Sequence, residues 1–154
     1  MPARAAAQTT PTDVPRADYG WTLRALDGGT LTLEAFRGRV LFINLWASWC
    51  TPCVRELASI ERLQDALREH DVAFLAVAAE SEASARRFLR SRSYALPFYV
   101  EEQRAPPAFP LRGIPTTWVV DREGRIAHVR HGEAEWDRPE VVAWLRTLAE
   151  PTGR

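Results

Sequence analysis

The feature that most constrains the fold is an apolar run that leads directly into a pair of cysteines. Residues 40–45 read Val-Leu-Phe-Ile-Asn-Leu, and residues 46–53 read Trp-Ala-Ser-Trp-Cys-Thr-Pro-Cys. A run that is apolar at almost every position is typical of a central strand covered on both faces. Apolar residues then recur with helical spacing from Pro52 to about Glu69, and proline is well tolerated in a first helical turn. The sequence therefore predicts a buried strand followed at once by a helix, with the cysteines at the junction.

The rest of the chain supplies strands and helices on both sides of this unit. A hairpin is predicted over residues 21–33, because Asp27-Gly28-Gly29 tolerates the positive φ of a tight turn. Asp137 is predicted to cap the last helix, with Glu140 completing a capping box. The other predicted elements are strand 71–79, a helix from Ser81 to about Arg92, strand 97–100, and strands 116–121 and 125–130. This order predicts an α/β fold with a mixed central sheet flanked by helices on both faces.

Length and composition favour one folded domain. The chain has 154 residues, enough to bury a core without a metal or a disulfide staple. Residues 19–150 are predicted to form this domain, and residues 151–154 a short tail. Residues 1–18 are rich in Ala, Thr, Pro and Arg, and are predicted to be a flexible leader or tether. The alternative for this segment is the remnant of a removed signal or membrane anchor.

Charge and hydropathy exclude several classes of function. Twenty basic residues, all arginine, balance twenty acidic ones, so no charge field indicates binding to nucleic acid or to an anionic membrane. No apolar run approaches the roughly 18 residues that a membrane span requires. Residues 1–15 lack the continuous apolar segment of an intact signal peptide. The compartment stays open, because a lone cysteine pair can be a structural bridge or a catalytic dithiol.

Cys50 and Cys53 are the only cysteines, and their placement favours redox chemistry. Cys50 lies where the predicted helix begins, and the unpaired amides and positive dipole there stabilise a thiolate, which is the nucleophile. Cys53 follows one helical turn later, so its sulfur lies beside the first and can resolve a mixed disulfide. In the expected mechanism Cys50 attacks, or is attacked in, a partner disulfide. Cys53 then closes the internal bridge and releases the partner.

Two other interpretations of the pair are weaker. A structural bridge across a two-residue gap would constrain the unfolded chain very little. A zinc site needs four ligands, and neither a second cysteine pair nor a histidine pair at ligand spacing occurs. His128 and His131 lie on or just after a late strand and are weak candidates for ligands. We therefore expect neither a metal nor a cofactor.

Two separated motifs resemble the thioredoxin superfamily and, within it, the TlpA/ResA-like thiol-disulfide oxidoreductases. The tryptophan-rich stretch at residues 46–53 resembles the family's active-site motif, and Gly-Ile-Pro-Thr-Thr at residues 113–117 its second signature. Asp-Arg-Glu-Gly-Arg at residues 121–125 resembles its hairpin turn. The early hairpin and the helix and strand between Ser81 and Val100 fit this subgroup better than plain thioredoxin. The resemblance covers about residues 19–150.

The resemblance implies roles for residues outside the cysteine pair. Pro115 is expected to follow a cis peptide bond from Ile114, to lie against the sulfurs and to share in catalysis, with an ordinary strand-starting proline as the alternative. The backbone beside it is expected to bind an extended partner segment by strand addition. Trp49 is expected to shield the sulfurs and contact the partner, and Thr51, Pro52 and Ile114 complete the expected substrate-binding set.

Glu56 is the expected proton relay, since this subgroup often carries a glutamate three residues after the second cysteine. Such a carboxylate can take the proton of Cys53; the alternative is a solvated helix residue. Asn44 stands where thioredoxin has a buried aspartate, and it cannot bind a proton. Two departures from the family are notable. Ala58 replaces a helix-kinking proline, and the proline-rich loop 101–113 lacks the helix that relatives usually carry there.

By resemblance, the chain is expected to be a monomeric bacterial disulfide reductase of the periplasm or cell envelope, with its signal or anchor absent from this sequence. Expected partners are proteins with cysteines or disulfides, such as apo-cytochrome c or oxidase-assembly factors, and a membrane or soluble thiol protein that donates electrons. The alternatives are a disulfide oxidant or isomerase, and a non-catalytic assembly or binding module of the same fold. A peroxidase is disfavoured, because a Cys-x-x-Cys pair suits dithiol exchange.

Overall fold

A computed structural model describes residues 14–151 of the chain. Within them, seven strands form one sheet in the order β2-β1-β5-β4-β3-β6-β7. The strands are β1 (Thr22–Ala25), β2 (Thr30–Thr32), β3 (Val40–Trp46), β4 (Val72–Ala78), β5 (Phe98–Glu101), β6 (Thr116–Val120) and β7 (Ile126–His131). The helices are α1 (Thr51–Ala66), α2 (Glu82–Leu89) and α3 (Pro139–Ala149), and a 3₁₀ turn (Leu33–Phe36) follows β2. The predicted mixed sheet and its order of elements are confirmed.

Strand β3 is buried along its whole length and sets the position of the cysteines. It pairs in parallel with β4, from Val40 opposite Val72 to Trp46 opposite Ala78. On its other side it pairs antiparallel with β6, where Leu45 lies opposite Thr116. The carboxyl ends of β3 and β4 therefore meet the beginning of β6 at one edge of the sheet.

All three α-helices cover the same face of the sheet. Alternate β3 residues such as Phe42 and Trp46 belong to the core on this face. The helices contribute to the same core through Leu57, Ile60 and Leu63 of α1, Ala85 of α2, and Leu145 and Ala149 of α3. The prediction that helices cover both faces is therefore wrong. Strands β3, β4 and β5 are successive parallel neighbours, and since crossovers share one hand, α1 and α2 fall on the same side.

The opposite face is covered by aromatic residues from the hairpin and the loops. Leu41, Ile43 and Leu45 of β3 point into this second core. Trp21 and Phe109 cover them, with ring centroids 5.2 Å apart, and each also packs against Trp118. Phe109 belongs to the loop 101–113, which forms no helix, as its prolines predict. A proline-rich loop therefore lies where a second layer of helices was expected.

The helix ends differ from the prediction at three of the predicted sites. Helix α1 ends at Ala66 and α2 at Leu89, earlier than residues 69 and 92. Ser81 caps α2 as predicted, since its side chain accepts from the Ser84 amide at 3.1 Å. Asp137, however, does not cap α3. The N-cap is Arg138, without a side-chain bond, and Asp137 instead accepts from Arg62 Nε at 2.7 Å.

The beginning of the described chain is attached to the turn between β6 and β7. The amide of Ala17 donates to Gly124 O at 2.9 Å, and the amide of Ile126 donates to Pro15 O at 2.7 Å. These residues fall within the segment 1–18 for which a leader is predicted. Its residues 1–13, like residues 152–154 of the predicted tail, lie outside the described part of the chain.

Candidate active site

Cys50 lies at the amino terminus of α1, as the motif predicts. It is the N-cap residue, in an extended conformation with φ −93° and ψ 101°, and its Sγ accepts from the Cys53 amide at 3.3 Å. The two cysteines are joined by a disulfide, with their Cα atoms 5.2 Å apart. An amide directed at Sγ at the positive end of a helix stabilises a thiolate when the bridge is reduced.

Both cysteines are buried, and they differ slightly in exposure. Cys50 is 6% exposed, whereas Cys53 is fully buried. Trp49, immediately before Cys50, is 71% exposed and is the most exposed of the large apolar side chains in the described chain. Thr51 is exposed and Pro52 half-buried in the first turn of α1. Only Cys50 therefore has any surface that a partner could contact directly.

Glu56 is buried rather than solvated, with only 2% of its surface exposed. Its Oε1 accepts from Asn44 Nδ2 at 2.8 Å. Its Oε2 accepts from the Ala134 amide at 3.0 Å and from Trp136 Nε1 at 3.2 Å. Burial raises the pKa of the Glu56 carboxyl, and these three hydrogen bonds partly oppose the rise. Glu56 is thus a buried acid that binds its proton more tightly than an exposed glutamate.

Asn44 connects Glu56 to strand β6. Its Nδ2 donates to Thr117 Oγ1 at 2.9 Å as well as to Glu56. Its Oδ1 is buried and has no hydrogen-bond partner among the described residues. All three hydrogen-bond partners of the Glu56 carboxylate are N–H donors. A protonated Glu56 therefore needs a new acceptor for its own O–H. Asn44 Oδ1 provides one after rotation of the amide, and the Thr117 hydroxyl can then also donate to that oxygen.

Glu80 holds the loop between β3 and α1. Both of its carboxylate oxygens bind Ser48: Oε2 accepts from the Ser48 amide, and Oε1 accepts from the Ser48 hydroxyl at 2.5 Å. Within the same loop, the Cys50 amide donates to Ala47 O at 3.1 Å. These contacts fix the backbone two residues before the reactive sulfur.

The second signature motif lies at the start of β6. The Ile114–Pro115 peptide bond is cis, and Pro115 is buried. Gly113, with φ 137°, allows the sharp turn that precedes it, and its carbonyl accepts from Thr116 Oγ1 at 2.6 Å. Since Thr116 lies opposite Leu45 in β3, this turn lies at the edge of the sheet from which the Cys50 loop emerges.

A groove of about 570 Å³ lies between the two motifs. Trp49 and Leu111 form its exposed apolar rim, and Leu111 is 41% exposed. Glu101 and Arg104 add charge. Burial raises the pKa of the Glu101 carboxyl, and the hydrogen bond from the Ala105 amide and the Arg104 charge only partly oppose the rise. The remaining lining residues are Leu45, Ala79, Gly113 and Ile114. The groove offers apolar surface and one exposed cation beside the cysteine motif.

Sequence reasoning named the cysteines, Glu56, Trp49 and the Ile114–Pro115 pair, and the structure places all of them near one edge of the sheet. It missed Glu80, Thr117 and Trp136. The sequence contained a signal for Glu80. It follows β4, and since adjacent parallel strands end at the same edge of the sheet, its side chain could be expected near the Cys50 loop. Trp136 had none, since its contact with Glu56 spans 80 residues of sequence.

No metal centre is formed by the described residues: no three His, Cys, Asp or Glu side chains cluster closely enough to hold an ion. His128 packs edge-on against Trp136 and Trp144, with ring centroids 6.4 and 5.9 Å away. Burial, together with the Arg130 charge, lowers the pKa of His128. Among residues 14–151, no helix is long and apolar enough to cross a membrane.

Comparison with known proteins identifies relatives along most of the chain. The thiol-disulfide oxidoreductase ResA of Halalkalibacterium halodurans is 30% identical over 114 residues, which are 73% of this chain and 65% of that protein. The thioredoxin-like protein YneN of Bacillus subtilis is 28% identical over 116 residues, 73% of this chain and 68% of YneN. The chain therefore spans about two thirds of the length of these relatives.

Solved structures share the fold. A putative thiol-disulfide oxidoreductase from Bacteroides vulgatus aligns with a TM-score of 0.76 at 22% identity, covering 93% of this chain and 99% of that one. The exposed lipoprotein thioredoxin Etrx1 of Streptococcus pneumoniae aligns with a TM-score of 0.71 at 25% identity, over 83% of this chain and 98% of Etrx1. These matches confirm the thioredoxin-like fold class.

The model of the Redoxin family matches residues 5–145. This match covers both signature motifs and all the elements between them, and the relatives confirm the TlpA/ResA-like resemblance that the motifs indicate. The chain belongs to the Redoxin family, as a TlpA/ResA-like member of the thioredoxin superfamily.

Proposed function

We propose that the chain is a thiol-disulfide oxidoreductase that reduces disulfides in proteins outside the cytoplasm. The observation that carries this proposal is the position of Cys50 at the N-cap of α1, bonded to the fully buried Cys53 one helical turn later. The names of the relatives, which include thiol-disulfide oxidoreductases and an exposed lipoprotein thioredoxin, support both the reaction and the compartment. Candidate substrates are envelope proteins with cysteine pairs, such as apo-cytochrome c and oxidase-assembly factors.

The reaction consists of two thiol-disulfide exchanges. The Cys50 thiolate attacks one sulfur of the partner disulfide, so a mixed disulfide forms and the partner's other sulfur leaves as a thiolate. Cys53 then loses its proton and attacks Cys50 Sγ, which closes the internal bridge and releases the second partner thiolate. Two electrons pass from the dithiol to the partner. A thiol protein of the same compartment must afterwards reduce the Cys50–Cys53 bridge.

Glu56 is the proposed acceptor for the proton of Cys53. It follows Cys53 by three residues on α1, a spacing at which side chains are neighbours on a helix. Burial raises the pKa of Glu56, which makes its carboxylate a better proton acceptor than that of an exposed glutamate. Asn44 Oδ1 is available to accept from the protonated carboxyl. Asn44 and Trp136 thus position the relay, and Glu56 moves the proton.

The groove between Trp49 and Ile114 is the proposed docking site for the partner segment. An extended segment along Gly113–Pro115 would pair with the backbone there by strand addition. Its apolar side chains would then contact Trp49 and Leu111, while Thr51 and Pro52 border the reacting sulfurs. This arrangement brings a partner disulfide to the exposed side of Cys50.

The direction of electron flow can be tested by equilibrating the protein with glutathione redox buffers. A reductase is expected to have a reduction potential more negative than about −180 mV, the value of protein disulfide isomerase. Fluorescence can follow the equilibrium, because Trp49 adjoins the reacting pair. A Cys50→Ser, Cys53→Ser variant should show no transition. A potential well above this value would assign the chain to the oxidants or isomerases.

Replacement of Cys53 by alanine should trap partners. Without the resolving thiol, mixed disulfides through Cys50 should accumulate and be released by dithiothreitol. The matched control is Cys50→Ala, which retains only the buried Cys53 and should trap little. Non-reducing gels of cell-envelope extracts provide the measurement. If the Cys53→Ala variant binds partners without a covalent bond, the non-catalytic binding module is the correct function.

Replacement of Glu56 by glutamine should change how stability depends on pH. The folded pKa of Glu56 lies above its ordinary value of 4.5. Protonated Glu56 therefore contributes its full stability below that value, and the contribution is lost as the pH rises through the folded pKa. The variant should lack this fall, so its free energy of unfolding in urea should decline less from pH 4.5 upward. The control Glu69→Gln, at an exposed position, should follow the wild type.

The same Glu56→Gln variant tests the proton relay. The release of the partner should slow, because Cys53 loses its proton acceptor, while the first attack by Cys50 should be unchanged. Stopped-flow measurement of the two phases separates these steps. Parallel stability curves for the variant and the wild type, or an unchanged second phase, would contradict the role given to Glu56.

Replacement of Leu111 by serine should weaken reaction with peptide disulfides but not with small ones. Leu111 is 41% exposed in the free protein, so docking can bury about two-fifths of the side chain. That burial is worth about 0.6–1.2 kcal/mol, which is roughly three- to eightfold in the second-order rate constant. The rates with a disulfide-bonded peptide and with oxidised dithiothreitol provide the comparison. Trp144→Ala, an exposed aromatic on α3, is the control and should leave both rates unchanged. Equal loss with both substrates would place the partner outside this groove.

A further inference from the structure

Glu80 makes an unusual bidentate contact with one residue of the cysteine motif. It comes two residues after the end of β4 and is half-buried. One carboxylate oxygen accepts from the Ser48 amide and the other from the Ser48 hydroxyl. Glu80 lies outside the sequence motifs at residues 46–53, 113–117 and 121–125. Its carboxylate nevertheless reaches the loop that carries the reactive cysteine.

The loop 47–49 has few other anchors. The Ala79 amide donates to Trp46 O at 2.7 Å, which joins the ends of β3 and β4 just before the loop. After it, the Cys50 amide donates to Ala47 O. Ser48 forms no other hydrogen bond with the described residues, and Trp49 is too exposed to be held by packing. Ala47 and Cys50 are held in the core, so between them the path of the chain depends on the bonds between Glu80 and Ser48.

We propose that Glu80 is a positioning residue for thiol-disulfide exchange. By holding Ser48, it keeps Cys50 Sγ within reach of the Cys53 amide and keeps Trp49 on the rim of the groove. This inference rests on the proposed function. A carboxylate bonded to both polar groups of one residue fixes the backbone more firmly than a single hydrogen bond, because charged acceptors form the stronger bonds. Glu80 does not touch the reacting atoms.

Substitution of Glu80 by glutamine or by alanine separates the effect of its hydrogen bonds to Ser48 from the effect of its negative charge. In Glu80→Gln, the amide oxygen can still accept from the Ser48 N–H, and the amide nitrogen can donate to the Ser48 hydroxyl. Both bonds survive while the negative charge is lost. In Glu80→Ala, both bonds and the charge are lost. Glu82→Ala is the matched control, because Glu82 lies two residues further on and pairs with Arg86 instead.

Two measurements on the reduced protein test the proposal. The first is the second-order rate constant with a disulfide-bonded peptide, and the second is the midpoint pH of Cys50 alkylation by iodoacetamide. For Glu80→Ala we expect a rate loss of about tenfold or more, since small misplacements of a reacting group have large effects. Its alkylation midpoint should rise, because the thiolate loses its aligned amide. Glu80→Gln and Glu82→Ala should remain close to the wild type.

The alkylation midpoint distinguishes three roles for Glu80: positioning of the Cys50 loop, the effect of its negative charge on the thiolate, and a contribution to stability alone. Loss of a nearby negative charge alone would lower the midpoint in both the glutamine and alanine variants, and that result would overturn the proposal. Unchanged rates and midpoints would overturn it too, and would give Glu80 only a structural role. If Glu80→Ala does not fold, Ser48→Ala removes the hydroxyl bond alone and should shift both readouts less, in the same direction. A wild-type protein that fails to react would instead refute the proposed function.

Discussion

The pairing of β3 with its two neighbours is the constraint on which the site depends. Parallel pairing with β4 brings Trp46 level with Ala78, so the Cys50 loop and Glu80 leave the sheet at the same edge. Antiparallel pairing with β6 brings the Ile114–Pro115 turn to that edge as well. A slip of register along either side would separate these groups. Residues that are far apart in the sequence therefore meet because one buried strand fixes both neighbours.

Among the residues held by this sheet, the buried Glu56 carboxylate is the one whose burial costs the most free energy. An ionised carboxylate in the core is unfavourable unless it is well hydrogen-bonded. Asn44 of β3 supplies one donor, and Ala134 and Trp136 of the segment before α3 supply two more. These bonds tie α1 to β3 and to that segment. Burial nevertheless prevails and raises the pKa of Glu56. The same contacts that hold α1 in place thus surround a buried acid that binds its proton more tightly than an exposed glutamate.

The sequence was sufficient for the parts of the site that are local. Cys50 at a helix start, Pro52 in the first turn and the turn before β6 follow from residue type and spacing. The distribution of helices over the sheet was not predictable in this way, because it depends on the order of strands in space. Asp137 has good capping chemistry, but the Arg62 guanidinium from another helix bonds its carboxylate instead. Trp136 and Glu80 likewise act through contacts that span many residues.

The absence of α-helices on the second face of the described sheet links the packing of the core to the shape of the groove. The proline-rich loop 101–113 covers part of that face, and its Phe109 packs against both Trp21 and Trp118. Trp21 Nε1 donates to Gln103 O at 3.0 Å and Trp118 Nε1 donates to Pro110 O at 2.8 Å, so both ends of the loop are held. Leu111 follows directly and forms the groove rim. Because the loop that seals the core also forms that rim, the shape of the groove is set by core packing.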